Sequence, residues 1–275
     1  MKGCEKNMKF TVLMEDTCGN PCCEYEHGLC IYIETKKHKI LADTGASSKT
    51  IVNARQLGIQ LQDVDTVILS HGHYDHSGGL LDFAKLNEHA DIYLQKSAFG
   101  DYYHGERYIG IDKEITKLTN LHLLEGNFTI DSELELFSGI SGRRHWPQSN
   151  LALTEKRNGV FGQDDFQHEQ CLVIRGEKKV LVSGCAHNGI LNILDRYQAL
   201  YGGLPDVVIS GFHMYKKEGY TTEEKATIRS IAEELAKLPV QFYTGHCTGE
   251  EAMELMEEIM QDQLIRIHCG TQFHL

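Results

Sequence analysis

The segment LSHGHYDHSGG, residues 69–79, concentrates metal-binding residue types in one short stretch. Within six positions it contains His71, His73, Asp75 and His76. The apolar run VDTVILS (64–70) leads into it and predicts a strand, and GGLLDFAKLNEHA (78–90) leads out of it and predicts a helix. Because α/β proteins bind ligands at the carboxyl ends of strands, the segment predicts an α/β fold with a functional site after this strand.

The spacing of the four side chains suits two adjacent metal ions better than one. Alternate residues of an extended chain share a face, so His71 and His73 point to the same side. Asp75 and His76 diverge from that side, and the glycines at 72, 78 and 79 permit the tight backbone that this requires. Two ions need about three protein ligands each, so distant strands must supply the remaining ligands.

The last third of the chain alternates between predicted strands and helices. The strands are KKVLVSG, PDVVISG, VQFYTG and LIRIHC, and the helices are NGILNILDRYQALYGG, TTEEKATIRSIAEELAKL and GEEAMELMEEIMQ. Cys185 and His187 follow the first of these strands, His213 the second and His246 the third. Histidines that recur at equivalent strand ends predict that these side chains join the cluster at one edge of the fold.

The first third begins with the predicted strands KFTVLME, LCIYIET and HKILADTG, followed by the helix SSKTIVNARQLG. In the middle of the chain, LHLLEG and ELELFSGI also predict strands. Two excursions, at about 95–117 and 141–168, are interpreted as long loops that act as lids, with a mobile surface excursion as the alternative. No repeat or linker-like tract is present, so we expect a single domain over residues 1–275.

Composition limits the classes of partner. The 275 residues are 41% hydrophobic and 24% charged, which suits a globular protein with a large core. The net charge of −12 argues against nonspecific binding to nucleic acid. No stretch approaches the roughly 20 apolar residues of a membrane span, and MKGCEKNMKF contains no signal-peptide run. We therefore expect a cytoplasmic protein that acts on a small molecule, away from nucleic acid and membranes.

Five of the nine cysteines cluster near the N-terminus. They are Cys4, Cys18, Cys22, Cys23 and Cys30. The adjacent pair Cys22 and Cys23 does not fit the spaced pairs of zinc sites, and no second pair completes a four-ligand set. We interpret these residues as reduced cytosolic thiols.

Three segments carry a family resemblance. SHGHYDHSGG (70–79) resembles the H-x-H-x-D-H signature of the metallo-β-lactamase superfamily, ILADTGAS (40–47) its Asp-Thr-Gly strand end, and YTGHCTG (243–249) its late Gly-His element. The resemblance extends from about residue 9 to the C-terminus. It implies a four-layer αβ/βα sandwich, in which two β-sheets lie face to face with helices outside. The site would lie along one edge, between the halves.

Other segments resemble one subgroup of that superfamily. EHGLCIYIE (26–34), SGCAHNGI (183–190), ISGFHMY (209–215) and GHCTG (245–249) are similar to motifs of dihydropterin-linked phosphate synthases and metal-dependent hydrolases. This resemblance implies either a hydrolase or a pterin-pathway enzyme.

The superfamily resemblance also implies a ligand set. His71 and His73 would bind the first ion, and Asp75, His76 and His246 the second. The third ligand of the first ion is either His187, which the subgroup favours, or His168, which matches the more common position. The resemblance thus implies two divalent transition metal ions, with Zn²⁺ favoured and iron or manganese as alternatives.

Cys185 is a departure from the superfamily pattern. It stands where many dinuclear members place a bridging aspartate. A thiolate there would be a soft ligand and would favour Zn²⁺ or iron over Mg²⁺ or Ca²⁺. If Cys185 does not bind metal, the second ion would be weakly held.

The expected function is a metal-dependent hydrolase in which a metal-activated hydroxide attacks an ester or phosphoester, because bound Zn²⁺ lowers the pKa of water to about 7. Asp75 and His213 are the candidate catalytic residues. His213 would protonate the leaving group, or it would only hydrogen-bond a ligand or the backbone. The candidate substrate contacts are His27, Arg143, Arg144 and Trp146. The two arginines would clamp a phosphate, or they would simply be solvated.

Three other functions fit the same residues. A pterin-pathway synthase would condense a phosphoribosyl compound with a dihydropterin precursor, with aromatic residues such as Tyr102, Tyr103 and Trp146 stacked on the pterin. A di-iron redox enzyme would use the same scaffold with a flavin partner. A non-enzymatic metal-binding module would lack an open coordination position. Phosphoesterase turnover without pterin would separate a hydrolase from a synthase.

Overall fold

Two seven-stranded β-sheets pack face to face, and helices cover the outer face of each. This is the four-layer αβ/βα sandwich that the family resemblance predicted. The computed structural model describes residues 8–275. Cys4 and the first seven positions of the N-terminal stretch lie outside the described residues.

The described residues form eighteen strands and six α-helices. The strands are β1 (Lys9–Met14), β2 (Cys30–Glu34), β3 (Lys39–Ala42), β4 (Thr66–Ile68), β5 (Asp91–Gln95), β6 (Tyr102–His104), β7 (Arg107–Tyr108), β8 (Leu121–Leu124), β9 (Phe128–Thr129), β10 (Leu134–Phe137), β11 (Leu153–Arg157), β12 (Val160–Gln163), β13 (Cys171–Arg175), β14 (Lys179–Val182), β15 (Val207–Ile209), β16 (Gln241–Thr244), β17 (Leu264–Arg266) and β18 (Gln272–His274). The helices are α1 (Lys49–Gln56), α2 (Tyr74–Ser77), α3 (Leu80–Leu86), α4 (Ile190–Tyr201), α5 (Thr222–Leu235) and α6 (Glu250–Met260).

Each large sheet is antiparallel on one side and parallel on the other. The first has the order β18-β1-β2-β3-β4-β5-β8, and its strands run parallel from β3 to β8. The second has the order β17-β16-β15-β14-β13-β10-β9, and its strands run parallel from β14 to β17. The carboxyl ends of the parallel strands lead into the segments that hold the predicted site residues.

Period-two alternation of side chains builds three apolar layers. Along β1, Phe10 and Val12 pack in the central layer between the sheets, whereas Leu13 packs against the helices outside the first sheet. Along β14, Val180 faces the central layer and Leu181 faces the helices outside the second sheet. Successive strand residues point to opposite faces, and burial of each such side chain contributes about 1.5–3 kcal/mol.

The helix boundaries follow local signals in the sequence. Thr221 caps α5 through a reciprocal capping box, in which its hydroxyl accepts from the Glu224 N–H and the Glu224 carboxylate accepts from the Thr221 N–H. Helix α4 ends at Gly202, whose φ of 72° is the left-handed conformation that favours glycine. None of the helices in the described part has the length and apolar character that a membrane crossing requires.

The two excursions, predicted as loops, instead contain the strands of a third sheet. Its order is β12-β11-β6-β7, so segments about 50 residues apart in the chain pair with each other. Tyr102, Ile109, Leu153 and Phe166 form its buried cluster. The loop prediction was wrong here because the strands are short and lack the apolar alternation of a buried strand: VFGQ is exposed throughout, and LTEKR has a single buried residue.

The third sheet packs directly on the histidine motif. The Tyr74 N–H donates to the Ile109 carbonyl at 2.9 Å, and His73 forms an isolated bridge with Gly110. The third sheet therefore covers part of the edge at which the parallel strands of the first sheet end.

Candidate metal centre

The site is assembled from the carboxyl ends of strands in both large sheets. In the first sheet, β3 leads to Asp43 and β4 leads to Ser70 and His71. In the second sheet, β14, β15 and β16 lead to the segments that carry Cys185, His213 and His246. A side chain at Gly184 would collide with the Ser70 Oγ, which shows how closely the two sheets approach here.

The first group of candidate ligands is His71, His73 and His187. The Nε2 atoms of His71 and His187 lie 3.3 Å apart. The His73 ring centroid lies 4.6 Å from that of His71 and 4.8 Å from that of His187. All three side chains are buried, and the Nε2 of His73 has no hydrogen-bond partner. Three imidazoles thus converge on one point.

Hydrogen bonds at the far side of two of these rings fix which nitrogen is free. The Ser70 Oγ lies 2.8 Å from both Asp43 Oδ2 and His71 Nδ1. Because the carboxylate can only accept, the hydroxyl donates to Asp43 and accepts from the His71 Nδ1–H. The His187 Nδ1–H donates to Asn150 Oδ1 at 2.9 Å. Both rings therefore present an unprotonated Nε2, the arrangement found in histidine ligands of metals.

His168, the alternative third ligand of the first ion, has both ring nitrogens engaged. Its Nδ1 accepts from the Gly72 N–H at 3.0 Å, and its Nε2 donates to Asp164 Oδ2 at 3.1 Å. These contacts tie His168 to the backbone of the histidine motif. This geometry favours His187 over His168 as the candidate third ligand of the first ion.

The second group of candidate ligands is Asp75, His76 and His246. The Asp75 Oδ2 lies 3.4 Å from the Nε2 of His76 and 3.4 Å from the Nε2 of His246. The His76 Nδ1–H donates to Asp43 Oδ2 at 2.7 Å, and the His246 Nδ1–H donates to Asp16 Oδ1 at 2.6 Å. Both rings again turn Nε2 toward the centre, each oriented by a carboxylate.

Cys185 lies between the two groups. Its Sγ is 3.0 Å from the His76 Nε2. Its sulfur also lies within 4.8 Å of the ligand atoms of His71 and His187 and of those of Asp75 and His246. The thiol therefore occupies a position from which it can contact ions in both groups.

Burial and neighbouring charges shift the histidine pKa values of the two groups in opposite directions. Burial lowers the pKa of His73 to about 3, with a further contribution from the neighbouring His168. Burial, and then His76, likewise hold the pKa of His71 well below its ordinary value. Burial also opposes protonation of His76, yet Asp43 and Asp75 raise its pKa to about 9. In the second group, protons on histidine thus balance carboxylate charge that a divalent cation would otherwise balance.

The residues present fit bound transition metal. The Nε2 atoms of His73 and His246 are buried without a hydrogen-bond partner, and such a group costs about 1–3 kcal/mol when nothing satisfies it. Imidazole nitrogen, one carboxylate and one thiol are the ligand types that Zn²⁺ and iron accept, whereas Mg²⁺ and Ca²⁺ prefer oxygen ligands. The donor chemistry and the unsatisfied nitrogens are those of a site that could hold a transition metal ion.

His213 lies against the first group. Its ring centroid is 4.0 Å from that of His187, and both of its ring nitrogens are buried without a hydrogen-bond partner. Its backbone N–H lies 3.3 Å from the Cys247 Sγ, and a ring nitrogen lies within 4.8 Å of the sulfurs of Cys185 and Cys247. The side chain thus has unpaired ring nitrogens beside His187, a candidate ligand of the first ion.

Backbone strain concentrates around the centre. Eight non-glycine residues in the described part have positive φ, and several of them line this edge. These are Asp43 (60°), Phe166 (54°), Ala186 (55°), His213 (49°) and His246 (51°). Such conformations cost of order 1–3 kcal/mol each and persist where the surrounding structure imposes them, often at functional sites.

The predicted substrate contacts do not all lie at the centre. Arg144 forms ion pairs with Glu234 and with Asp195, at 3.0 Å, so its charge is satisfied on the surface formed by α4 and α5. The structure therefore does not favour Arg144 as a phosphate clamp. Arg143 bonds to Asn188 Oδ1 at 3.2 Å, next to His187, and has no carboxylate partner among residues 8–275.

Aromatic side chains connect the third sheet to the first group. The Phe166 ring stacks on the His187 ring at 4.4 Å with an interplanar angle of 5°. Trp146 contacts Phe166 at 6.1 Å between centroids, and its indole Nε1 is buried without a partner. Trp146 therefore lies one layer behind the ligands, beside the third sheet.

Several supporting residues were not predicted from the sequence. The Asp16 carboxylate accepts from the His246 ring at 2.6 Å, and the Asn150 amide oxygen accepts from the His187 ring at 2.9 Å. The Glu169 carboxylate accepts from the backbone N–H of His187 at 2.6 Å. Asp43 belongs to the Asp-Thr-Gly strand end ILADTGAS (40–47), and the sequence did not predict that it would orient Ser70 and His76. An Asp-Thr-Gly strand end beside the histidine motif was a usable signal for Asp43; isolated positions such as Asn150 offered none.

Comparisons with known proteins agree with this geometry. Residues 25–148 match the family model of the metallo-beta-lactamase superfamily. The chain is 30% identical to the 7,8-dihydropterin-6-methyl-4-(beta-D-ribofuranosyl)-aminobenzene-5'-phosphate synthase of Methanocaldococcus jannaschii, over 96% of this chain and 95% of that protein. It is also 30% identical to the exodeoxyribonuclease WalJ of Streptococcus pneumoniae, over 97% and 92% respectively. The crystal structure of Tm1679, a metal-dependent hydrolase of the beta-lactamase superfamily, matches with a TM-score of 0.83 and 31% identity, over 98% of this chain and 99% of that one.

Proposed function

The chain belongs to the metallo-β-lactamase superfamily, and on that basis we propose that it is a metal-dependent hydrolase acting on an ester or phosphoester of a small molecule. The observation that carries the proposal is the pairing of two buried ligand groups that share one thiol, Cys185. Two adjacent metal ions would suit the hydrolysis of an ester or phosphoester, because together they can stabilise the attacking oxygen and the leaving oxygen.

The ligand roles follow the two groups. His71, His73 and His187 would hold one ion, and Asp75, His76 and His246 the other, with Cys185 between them. When bound, such ions supply a water of lowered pKa and Lewis acidity toward a substrate oxygen. The nitrogen and sulfur donors favour Zn²⁺, with iron or manganese as alternatives.

The protein's own groups would handle protons and substrate charge. His213 has two free ring nitrogens beside His187, so one of them can donate a proton to a leaving group. Asp75 would orient the reacting water as well as bind metal. Arg143, which has no carboxylate partner in the described part of the chain, can contact a phosphate or carboxylate of the substrate.

A pterin-pathway synthase is the second candidate function. The similarity to the synthase of Methanocaldococcus jannaschii covers 96% of this chain, which favours a substrate of related chemistry. In that reaction the site would bind a phosphoribosyl compound and a dihydropterin precursor. The similarity to an exodeoxyribonuclease makes DNA a third substrate to test, although the net charge of −12 favours a small molecule.

The test begins with the protein purified without added metal. Elemental analysis should find up to two transition metal ions per chain, and both His71→Ala and His246→Ala should lower this content. His122→Ala is the matched control because His122 is an exposed histidine paired with Asp91. Full metal content in both ligand variants would contradict the proposal.

The metal-loaded protein is then assayed against phosphomonoesters, phosphodiesters, lactones, thioesters, pterin phosphates and single-stranded DNA. Hydrolysis of a small ester or phosphoester without any pterin, lost in His71→Ala, supports a hydrolase. Turnover that requires both a phosphoribosyl compound and a pterin precursor would favour the synthase instead. Preferential degradation of DNA would replace the small-molecule substrate with a nucleic acid.

A further inference from the structure

His27 lies at the mouth of the second ligand group. Its Nε2 is 3.4 Å from the Asp75 Oδ2, while 52% of its side chain remains exposed. Asp75, by contrast, is 9% exposed, and the side chains of His76 and His246 are fully buried. His27 therefore approaches the group from the solvent side, and the other ligands approach it from within the protein.

Three imidazoles converge on one carboxylate oxygen at equal distance. The Nε2 atoms of His27, His76 and His246 each lie 3.4 Å from the Asp75 Oδ2. A separation of this size suits neighbouring ligands of one ion, because metal–ligand distances of about 2.0–2.2 Å place adjacent ligand atoms roughly 3 Å apart. The His27 ring also stacks on the His246 ring at 4.8 Å between centroids.

One carboxylate orients two of these rings. The Asp16 Oδ2 accepts from the His27 Nδ1–H at 2.8 Å, and the Asp16 Oδ1 accepts from the His246 Nδ1–H at 2.6 Å. Because Nδ1 is bonded to Asp16 in both rings, Nε2 is the nitrogen that faces Asp75 in both. Asp16 thus orients His27 as it orients the buried candidate ligand His246, with Nε2 turned toward Asp75.

The backbone holds His27 in this position. The Gly28 N–H donates to Asp16 Oδ1 at 3.2 Å, and the Leu29 N–H donates to the Asp75 carbonyl at 3.2 Å. Gly28 has a φ of 156°, and a Cβ there would lie 2.7 Å from the Asp75 carbonyl oxygen. Residues 27–29 therefore pack directly on the histidine motif, and only glycine fits at position 28 because of the close approach to Asp75.

We infer that His27 is a further protein ligand of the second ion, supplied from the solvent side. The inference rests on the proposed function, because it requires an ion held by Asp75, His76 and His246. Cys185 is shared by the two groups, so with His27 added the second ion has four protein ligands of its own and the first has three, which leaves the first ion the more open of the two. The reacting group of the substrate is then expected at the first ion.

The experiment compares metal binding by the wild-type protein, His27→Ala and the control His122→Ala. The metal-free full chain is titrated with Zn²⁺ in competition with a chromophoric chelator, and circular dichroism checks the fold of each variant. Wild type and His122→Ala should each bind two ions. His27→Ala should keep the tighter ion and bind the second at least about 10–100-fold more weakly, the loss typical even for a partner that only orients a ligand.

A spectroscopic measurement separates ligation from indirect effects. The Co²⁺-loaded proteins are compared by visible absorption, which reports coordination number and ligand type. His27→Ala should change the bands of the second Co²⁺, and added imidazole should restore them. If wild type binds two ions and His27→Ala matches it in both affinity and spectrum, the inference is wrong while the proposed function stands. If wild type binds fewer than two ions, both the inference and the dinuclear site fail.

Discussion

The Nε2 atoms of His71 and His187 lie 3.3 Å apart, and neither ring can place a proton between them. His71 donates its Nδ1–H to Ser70, and His187 donates its Nδ1–H to Asn150. Burial also lowers the pKa of both imidazoles well below the ordinary value, so both rings are neutral at pH 7. Two lone pairs that face each other at this distance repel, and a cation between them would remove that repulsion.

This relationship predicts different outcomes for His187→Ala and His168→Ala. His187→Ala removes one of the facing lone pairs, so the protein should bind one ion fewer by elemental analysis. His168→Ala should retain two ions, because both His168 nitrogens are already bonded to Gly72 and Asp164. Equal metal loss in the two variants would contradict this, because it would mean that His187, like His168, acts only by holding other residues in place.

The shared position of Cys185 predicts the effect of removing its sulfur. In Cys185→Ser, the Co²⁺-loaded protein should lose its thiolate-to-cobalt charge-transfer absorption, because a hydroxyl is a harder ligand than a thiolate. Zn²⁺ affinity should also fall, measured by chelator competition. The exposed Cys22 provides the control, and Cys22→Ser should leave the absorption unchanged. Retention of the charge-transfer band in Cys185→Ser would assign it to another thiol.

The architecture was predictable because its signals are local and periodic. Strands such as KKVLVSG and helices such as TTEEKATIRSIAEELAKL carry apolar spacing that only one kind of element satisfies. The histidine motif at the end of a predicted strand then located the edge where the candidate ligands meet. The recurrence of His187, His213 and His246 after successive strands identified that edge from the second sheet as well.

The supporting residues were not predictable because their partners are distant in the chain. Asp16 meets His246 across 230 positions, and Asn150 meets His187 across 37. Neither residue stands in a periodic pattern. The third sheet escaped prediction for the same reason, since β6 and β11 pair across a long separation and their exposed faces are polar. The choice between His168 and His187 likewise depended on hydrogen bonds that sequence spacing does not encode.

Away from the centre, His38 predicts a pH dependence of stability. Burial opposes its protonation, but ion pairs with Asp65 at 2.8 Å and Asp131 at 3.4 Å raise its pKa above the ordinary value. A raised pKa in the folded state stabilises the protein below the unfolded pKa of about 6.5, and this is lost as pH rises through the folded pKa. His38→Gln should therefore lower the free energy of unfolding by roughly 0.2–1 kcal/mol at pH 5.5, and by less at pH 9.

Urea unfolding at the two pH values measures this difference. The exposed His89 provides the control, and His89→Gln should match wild type at both pH values. A deficit for His38→Gln that is equal at pH 5.5 and pH 9 would show that packing, rather than protonation, accounts for its effect.

The position of His213 yields the last prediction. Its free ring nitrogens lie beside His187, so it can donate a proton to a leaving group without binding metal. His213→Gln should lower kcat by about 10²–10⁴, as loss of a general acid does, with metal content unchanged. His145→Gln is the matched control because His145 pairs with Glu234 at the surface. Loss of metal together with activity would instead make His213 a ligand alongside Cys185 and Cys247, whose sulfurs lie within 4.8 Å of its ring nitrogen. If kcat is unchanged, His213 is not the proton donor and another group at this edge must supply the proton.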